Sequence, residues 1–293
     1  MKSKFLFPAW CAWLGYFMSI PGFILGYLNI INNYEIPGFG FKMREKSTII
    51  QSAFENFTNE LAIFLVVIGL ILIAFSKTKR EDELTARIRI NSLYWGVMIY
   101  YSCYILGLTF SLTFGEIPFF GDHLLELNIF TPLLIFIFRY YYLTYFSKES
   151  YLIGESKFLP NKPYRSIGKI VSIISIVMLV IGIANKNNEL LDSIVSFSYL
   201  GLTIGLMLWA FSHQKTDDEM VMQQRLESLQ LAVYFNYTVL LFATLIFYSV
   251  DYLLVLTLAQ VSLLLFFIIR MEFVNYKNNK VLSQFEGELS HEK

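Results

Sequence analysis

Residues Ala74 to Leu93 read AFSKTKREDELTARIRINSL, and 136 positions later Ala210 to Leu229 read AFSHQKTDDEMVMQQRLESL without a gap. Nine of the twenty residues are identical. Long apolar runs flank both copies, so each copy is expected to join the end of one membrane helix to the start of the next. A charged hairpin that recurs at matching places in a 293-residue chain implies two similar units.

Composition supports a membrane setting. Hydrophobic residues make up 56% of the chain, charged residues 16%, and the mean hydropathy is +0.53. Net charge is zero, and no basic patch interleaves with aromatics, so nucleic acid is not an expected partner. Cys11 and Cys103 both fall in apolar runs, where a thiol behaves as a small hydrophobe.

Crossing about 30 Å of hydrocarbon takes roughly 20 helical residues. The chain offers eight apolar runs, near 8–31, 60–76, 90–113, 127–147, 167–184, 194–212, 226–250 and 252–274. The second and fifth are short. KFLFP at Lys4 to Pro8 parallels KFLP at Lys157 to Pro160, and LLIFIFRYYYLTY from Leu133 aligns with LLLFFIIRMEFVNY so that Arg139 matches Arg270. The expected fold is an all-α integral membrane protein of about eight transmembrane helices in two parallel four-helix repeats, residues 1–150 and 151–293. An even number of crossings per unit makes the repeats parallel. The N-terminal run has no small-x-small cleavage site after it and is read as an uncleaved first helix.

Charge asymmetry sets the expected orientation. Of the 23 Lys and Arg residues, 19 fall on the side holding both termini and both hairpins, and four (Lys42, Arg44, Lys46 and Lys186) on the other. Both termini and both hairpins are therefore expected in the cytoplasm of a bacterial cell, with the chain in the inner membrane. The outer loop Asn32 to Asn59 leads through STIIQSAFENFTNEL, in which Ile49, Ile50, Ala53, Phe54, Phe57 and Leu61 stand at helical spacing, which predicts a surface helix or an extension of the second span.

Within the hairpin, Thr78 with Glu81 and Thr216 with Glu219 have the S/T-x-x-E spacing of a capping box. After AFS, the residues common to both copies are Lys79, Asp82, Glu83, Arg89, Ser92 and Leu93, matched by Lys215, Asp218, Glu219, Arg225, Ser228 and Leu229. At 100° per residue they cover roughly half the helix circumference. Such a face contacts something: its own unit, with Arg89 and Arg225 paired to acidic neighbours, a pseudo-symmetric polar site where the two units meet, or a cytoplasmic partner.

No residue pattern suggests catalysis. His123, His213 and His291 lack neighbours at metal-ligand spacing, and there is no phosphate-binding glycine loop or nucleophile elbow. No catalytic residue, metal or cofactor is expected. The mid-span polar residues are Tyr100, Tyr101, Ser102, Asn236, Tyr237, Thr238 and Gln260; Tyr100, Tyr101, Asn236 and Tyr237 would line a pathway if the chain carried a solute. Arg139 and Arg270 read as snorkelling residues, and the tyrosines around Tyr140, Tyr141, Tyr142 and Tyr145 as an aromatic belt.

The segments AFSHQKTDDEMVMQQRLESLQLAVYFNY, KFLPNKPYRSIGKI and LLLFFIIRMEFVNY resemble multi-pass inner-membrane proteins of the Bacteroidota type. Those proteins carry an F-S-K-x-K-x-E-D-E…R-x-x-S hairpin, and the resemblance implies a helical membrane fold and no particular reaction. Taken together, the residues suggest a non-enzymatic regulator, sensor or interaction partner. It would act through its cytoplasmic face, with the bilayer and a cytoplasmic protein as its partners. The alternatives are a small-solute permease with its pathway between the repeats, and a membrane enzyme acting on a lipid-linked substrate.

Overall fold

The computed structural model describes residues 5–44, 52–78, 82–115, 120–146, 158–184, 189–214, 219–247 and 250–291. All eight apolar runs are helical: α1 Cys11–Asn32, α2 Thr58–Ala74, α3 Glu83–Phe114, α4 Phe120–Tyr141, α5 Tyr164–Ala184, α6 Glu189–Ala210, α7 Glu219–Ile246 and α8 Val250–His291. A π-helical turn, Tyr142–Phe146, extends α4. Seven of the eight are long and apolar enough to cross a membrane, and α2, with 17 residues, is the shorter apolar helix. At 1.5 Å per residue α2 reaches about 25 Å against a hydrocarbon core of about 30 Å. The chain is a multi-pass, helical membrane protein.

On α1 and α5 burial is inverted relative to a soluble protein. On α1 the buried residues are Cys11, Gly15, Ser19 and Gly22, while Trp13, Phe17, Ile20 and Ile24 face outward. On α5, Gly168, Ser172, Ser175 and Gly182 are buried, and Ile170, Ile173, Val177 and Val180 are exposed. Lipid is as apolar as leucine, so packing rather than hydrophobicity joins the helices, and small residues let backbones approach. A Cβ at Gly15 would lie 2.6 Å from the Gly69 carbonyl oxygen, and one at Gly168 would lie 2.6 Å from the Trp209 nitrogen. Through these contacts α1 lies along α2 and α5 along α6.

The centre is made by α3, α4, α7 and α8. Helix α3 packs on α4 and α7 on α8, while α4 meets α8 and α3 meets α7 across the middle. The α1–α2 pair joins this centre through contacts of α2 with α4 and α7, and the α5–α6 pair through contacts of α6 with α8 and α3. The buried core is one cluster running through both pairs and the centre.

One expectation fails in the outer loop. Instead of a surface helix, Gly40–Arg44 and Ser52–Asn56 form an antiparallel two-stranded ribbon that pairs Lys42 with Phe54 and Met43 with Ala53. Ile49 and Ile50 lie outside the described residues. Gly38, at φ +73°, turns the chain into the ribbon. The Asn56 side chain donates to the Ile36 carbonyl at 2.9 Å and accepts from the Thr58 amide, so α2 starts at Thr58 and extends no further outward. These side-chain bonds let the backbone leave the helical path, and spacing alone could not reveal that.

Candidate functional site: paired hairpins and a polar junction

The second hairpin motif is a clamp that closes on itself. The Arg225 guanidinium donates to the carbonyl oxygens of Ala210 (2.6 Å) and Ser212 (2.5 Å), which belong to the AFS that opens the same motif. Those carbonyls lie at the C-terminus of α6, where a cation is favoured by the helix dipole. The guanidinium also sits 3.8 Å from the Phe158 ring centroid. Arg89 occupies the matching position in the first motif and donates to the Tyr140 hydroxyl at 3.0 Å. Arg225 and Arg89 are 2% and 3% exposed, and Ser92, Ser228, Leu93 and Leu229 are buried with them.

The KFLFP and KFLP segments meet the same motifs. Phe7 donates its amide to the Phe75 carbonyl and accepts from the Lys77 amide, both at 2.9 Å. Leu159 donates to the Phe211 carbonyl at 2.9 Å and accepts from the His213 amide at 2.7 Å. Two short parallel bridges, Phe7 with Ser76 and Leu159 with Ser212, thus tie each leading segment to an AFS. In the second copy AFS and the arginine satisfy one another's polar groups, whereas in the first the partner of Arg89 is the hydroxyl of Tyr140 on α4.

The capping box is not the device that starts α3. Asp82 is the N-cap, and its side chain accepts from the Thr85 amide at 2.7 Å and from the Thr85 hydroxyl. Those bonds, the hydroxyl's first, hold the Asp82 carboxyl below its usual pKa. A depressed pKa means that the cap contributes fully above the ordinary carboxylate range and is lost as pH falls through it. Asp82→Asn is expected to keep the cap and remove that acid sensitivity, read as thermal stability against pH. Asp82 and Glu83 are exposed, whereas Arg89, Ser92 and Leu93 on the same face are buried. Lys79, Glu81, Lys215, Thr216 and Asp218 lie outside the described residues, and Glu219 is placed only as the first residue of α7.

The expected pathway residues converge. The Tyr101 hydroxyl donates to the Gln260 carbonyl at 2.6 Å, and the Tyr237 hydroxyl to the Ile129 carbonyl at 2.8 Å. The two bonds run in opposite directions, α3 to α8 and α7 to α4. Tyr100 donates to the Gln260 side chain, Ser262 to the Asn236 side chain, and Tyr104 pairs with Tyr199 at 3.0 Å. Tyr100, Tyr101, Asn236 and Tyr237 line one cavity of about 10 Å³ together with Asn128 and Gln260. That volume is on the scale of a single water molecule. No residue lining it carries a formal charge. By contrast, Ser102 and Thr238 bond to carbonyls of their own helices.

A second polar cluster escaped the sequence reading. Glu272 on α8 accepts from Arg165 at 2.6 Å and from the Trp209 indole at 3.0 Å, and Lys169 lies at 3.6 Å. Glu272 thereby ties α5 and α6 to α8. The available signal was an acidic residue two positions after Arg270 at the end of an apolar run, opposite the basic start of α5. At the matching place in the first half, Tyr16 donates to the Tyr141 hydroxyl at 3.0 Å, so hydroxyls replace ions. The Glu272 side chain is about a third exposed. Glu272→Ala is therefore expected to cost only about 1–2 kcal/mol after allowance for screening, measured by thermal unfolding in detergent.

Arg139 leans on its own protein, donating to Asn91 at 3.3 Å with the guanidinium 5.5 Å from the Trp95 ring centroid, whereas Arg270 is exposed as a snorkelling residue would be. Within the expected tyrosine belt, Tyr140 is buried, while Tyr142 and Tyr145 are exposed. Among the described residues no group of three His, Cys, Asp or Glu side chains could hold a metal ion.

Fold and site together define a multi-pass helical membrane protein with an uncharged polar junction between its central helices. Compared with known families, curated proteins and solved structures, the chain matches none.

Proposed function

We propose that the protein is a permease for a small, uncharged polar solute, here in a closed conformation, with its pathway at the polar junction. The observation that carries this reading is the convergence of Tyr100, Tyr101, Asn236, Tyr237 and Gln260 on one cavity deep in the helix bundle. Tyr101 lies twelve residues along α3 from Arg89, about 18 Å further along the helix axis and so near the middle of a 30 Å core. Buried polar groups at that depth mark either helix-joining bonds or a solute path. The donors and acceptors that line this water-sized space are what a path for a small polar solute needs. The lack of charge in the lining favours an uncharged solute over an ion.

In this reading the two halves are parallel four-helix repeats in a bacterial inner membrane, with both termini cytoplasmic. The matched bridges of Phe7 with Ser76 and Leu159 with Ser212 and the reciprocal tyrosine bonds support the repeat, and the 19-to-4 distribution of Lys and Arg supports the orientation. The resemblance to Bacteroidota inner-membrane proteins supports the location. Opening would exchange the Tyr101 and Tyr237 bonds for bonds to the solute.

The test is osmotic swelling of proteoliposomes followed by stopped-flow light scattering, with urea, glycerol and formamide as solutes. At least one solute is expected to permeate faster than in protein-free vesicles. Tyr101→Phe with Tyr237→Phe is expected to change that rate by about threefold per hydroxyl, from interhelical bonds of about 0.6 kcal/mol each. Rates equal to those of protein-free vesicles for every solute would sink the reading.

A second reading, a regulator acting on a cytoplasmic protein, is favoured by α8. This single helix of 42 residues is about 63 Å long, twice the hydrocarbon thickness, so part of it extends beyond the membrane. Crosslinking in membranes, comparing the full chain with one ending at Asn278, should lose a partner if that extension docks one. An identical set of crosslinked proteins would count against it.

A further inference from the structure

We infer a binding site for one acyl chain of a bilayer phospholipid in a groove between α1, α2 and α4. The groove has a volume of about 400 Å³ and is lined by Gly22, Phe23, Gly26, Ile63, Val67 and Phe130, with neighbours of the same apolar character. Asn59 marks one end, in the first turn of α2. An apolar space of this kind excludes water, and α1 and α2 lie in the bilayer, so hydrocarbon is the matching occupant.

The dimensions identify a chain from one leaflet. From Asn59 to Val67 the groove follows α2 for eight residues, and from Ile31 to Gly22 it follows α1 for nine. At 1.5 Å per residue these are about 12 and 13.5 Å, close to half of a 30 Å hydrocarbon core. Asn59 at the shallow end is where the ester and headgroup of that lipid would lie. The deep end stops at Ile129 and Phe130.

Among the described residues the matching place between α5 and α6 is filled by side chains. Gly15 and Gly168 make the same close approaches, to Gly69 and Gly205 respectively, and this fixes how α1–α2 superposes on α5–α6. Counting from them, Gly26 corresponds to Leu179 and Ile63 to Tyr199. Leu179 and Tyr199 pack against the core, and Tyr199 also bonds to Tyr104 and to the Thr257 carbonyl, so the corresponding space is filled by the protein itself. Glycine at position 26 is not required for helix packing, since a Cβ there would meet only the Ala62 Cβ at 3.8 Å. At Gly22, by contrast, a Cβ would lie 2.8 Å from Leu65 Cβ. The open groove therefore reflects side-chain choice at Gly26 and Ile63, independent of any close helix approach.

Ile129 has two roles. It closes the deep end of the groove, and its carbonyl accepts the Tyr237 hydroxyl in the polar junction. A chain seated in the groove would touch the residue that helps hold the junction shut.

The experiment uses the full chain in vesicles of phosphatidylethanolamine and phosphatidylglycerol doped with a phospholipid carrying a diazirine midway along one acyl chain. After irradiation, the labelled residues are mapped by mass spectrometry. Labelling at Phe23, Tyr27 and Phe130 is expected to exceed that at the lipid-facing Ile173 and Val177 of α5 by about tenfold, as for a chain held in preference to bulk lipid. Gly26→Leu, which installs the residue found at position 179, should bring it down to the α5 level. If Gly26→Leu does not accumulate, Ile63→Tyr serves the same purpose. Labelling no stronger than on α5, or unchanged in a folded groove-filling variant, would overturn the site. Solute flux plays no part in this readout, so its outcome is independent of the permease reading.

Discussion

Arg225→Ala should destabilise the protein by about 3 kcal/mol or more, the sum expected for two hydrogen bonds from a charged donor at about 1.5–3 kcal/mol each. The removed guanidinium donates to Ala210 and Ser212 and stacks on Phe158. Its loss leaves two buried carbonyls at the end of α6 without this donor, and it removes a contact that joins α7 to the 158–159 segment. Arg225→Lys should recover part of the loss, because an ammonium can donate to the carbonyls but does not stack as a plane. Thermal unfolding in detergent, read by size-exclusion of a fluorescent fusion, is the measurement. A melting temperature unchanged in Arg225→Ala would show that the clamp does not stabilise the fold. Arg89→Ala removes the bond to the Tyr140 hydroxyl and should act in the same direction. These residues make poor probes of an external docking face, since both arginines are interior.

Gly69→Leu should abolish the close pairing of α1 with α2. A Cβ at Gly69 would lie 2.7 Å from the Ser19 amide nitrogen and 2.8 Å from the Gly15 carbonyl oxygen. Both are backbone atoms, so relief requires the helices to separate. Even Gly69→Ala is expected to cost about 1–3 kcal/mol, the usual range for overpacking, and leucine more. Gly205→Leu should behave likewise between α5 and α6, where a Cβ would lie 2.8 Å from the Ser172 nitrogen. The internal control is Gly107→Ala. Nothing lies within 4 Å of a Cβ there, and alanine in the middle of α3 should stabilise by about 0.5–1 kcal/mol. If Gly69→Ala and Gly107→Ala shift the melting temperature alike, the close approach is not what joins α1 to α2.

Particular residues show how much could be read from the chain alone. Eight apolar runs were legible because lipid demands long uninterrupted hydrophobicity, and all eight are helices. The repeated hairpin was legible, and its inward face was predictable to the extent that Arg89, Ser92, Arg225 and Ser228 had to contact something. Their partner was not legible. Arg225 bonds to backbone carbonyls 13 and 15 residues earlier, and carbonyls carry no sequence signature. The ribbon from Gly40 to Asn56 was misread for a related reason, since Asn56 and Thr58 act on the backbone of Ile36 across a gap no periodicity crosses. Asp82 superseded the Thr78 capping box because an N-cap depends on where the chain actually turns.

The sequence by itself determined that the chain lives in a membrane, which apolar runs become helices and which polar residues lie within them, because these follow from hydropathy along the chain. Tertiary structure alone decided that Tyr101 and Tyr237 bond across the centre in opposite directions and that Glu272 gathers Arg165, Lys169 and Trp209. It also decided that a groove opens beside Gly26 and is filled beside Leu179. Those outcomes depend on which helix faces meet, and in a membrane that is decided by how closely small residues let backbones approach, a property of pairs of helices rather than of any one of them.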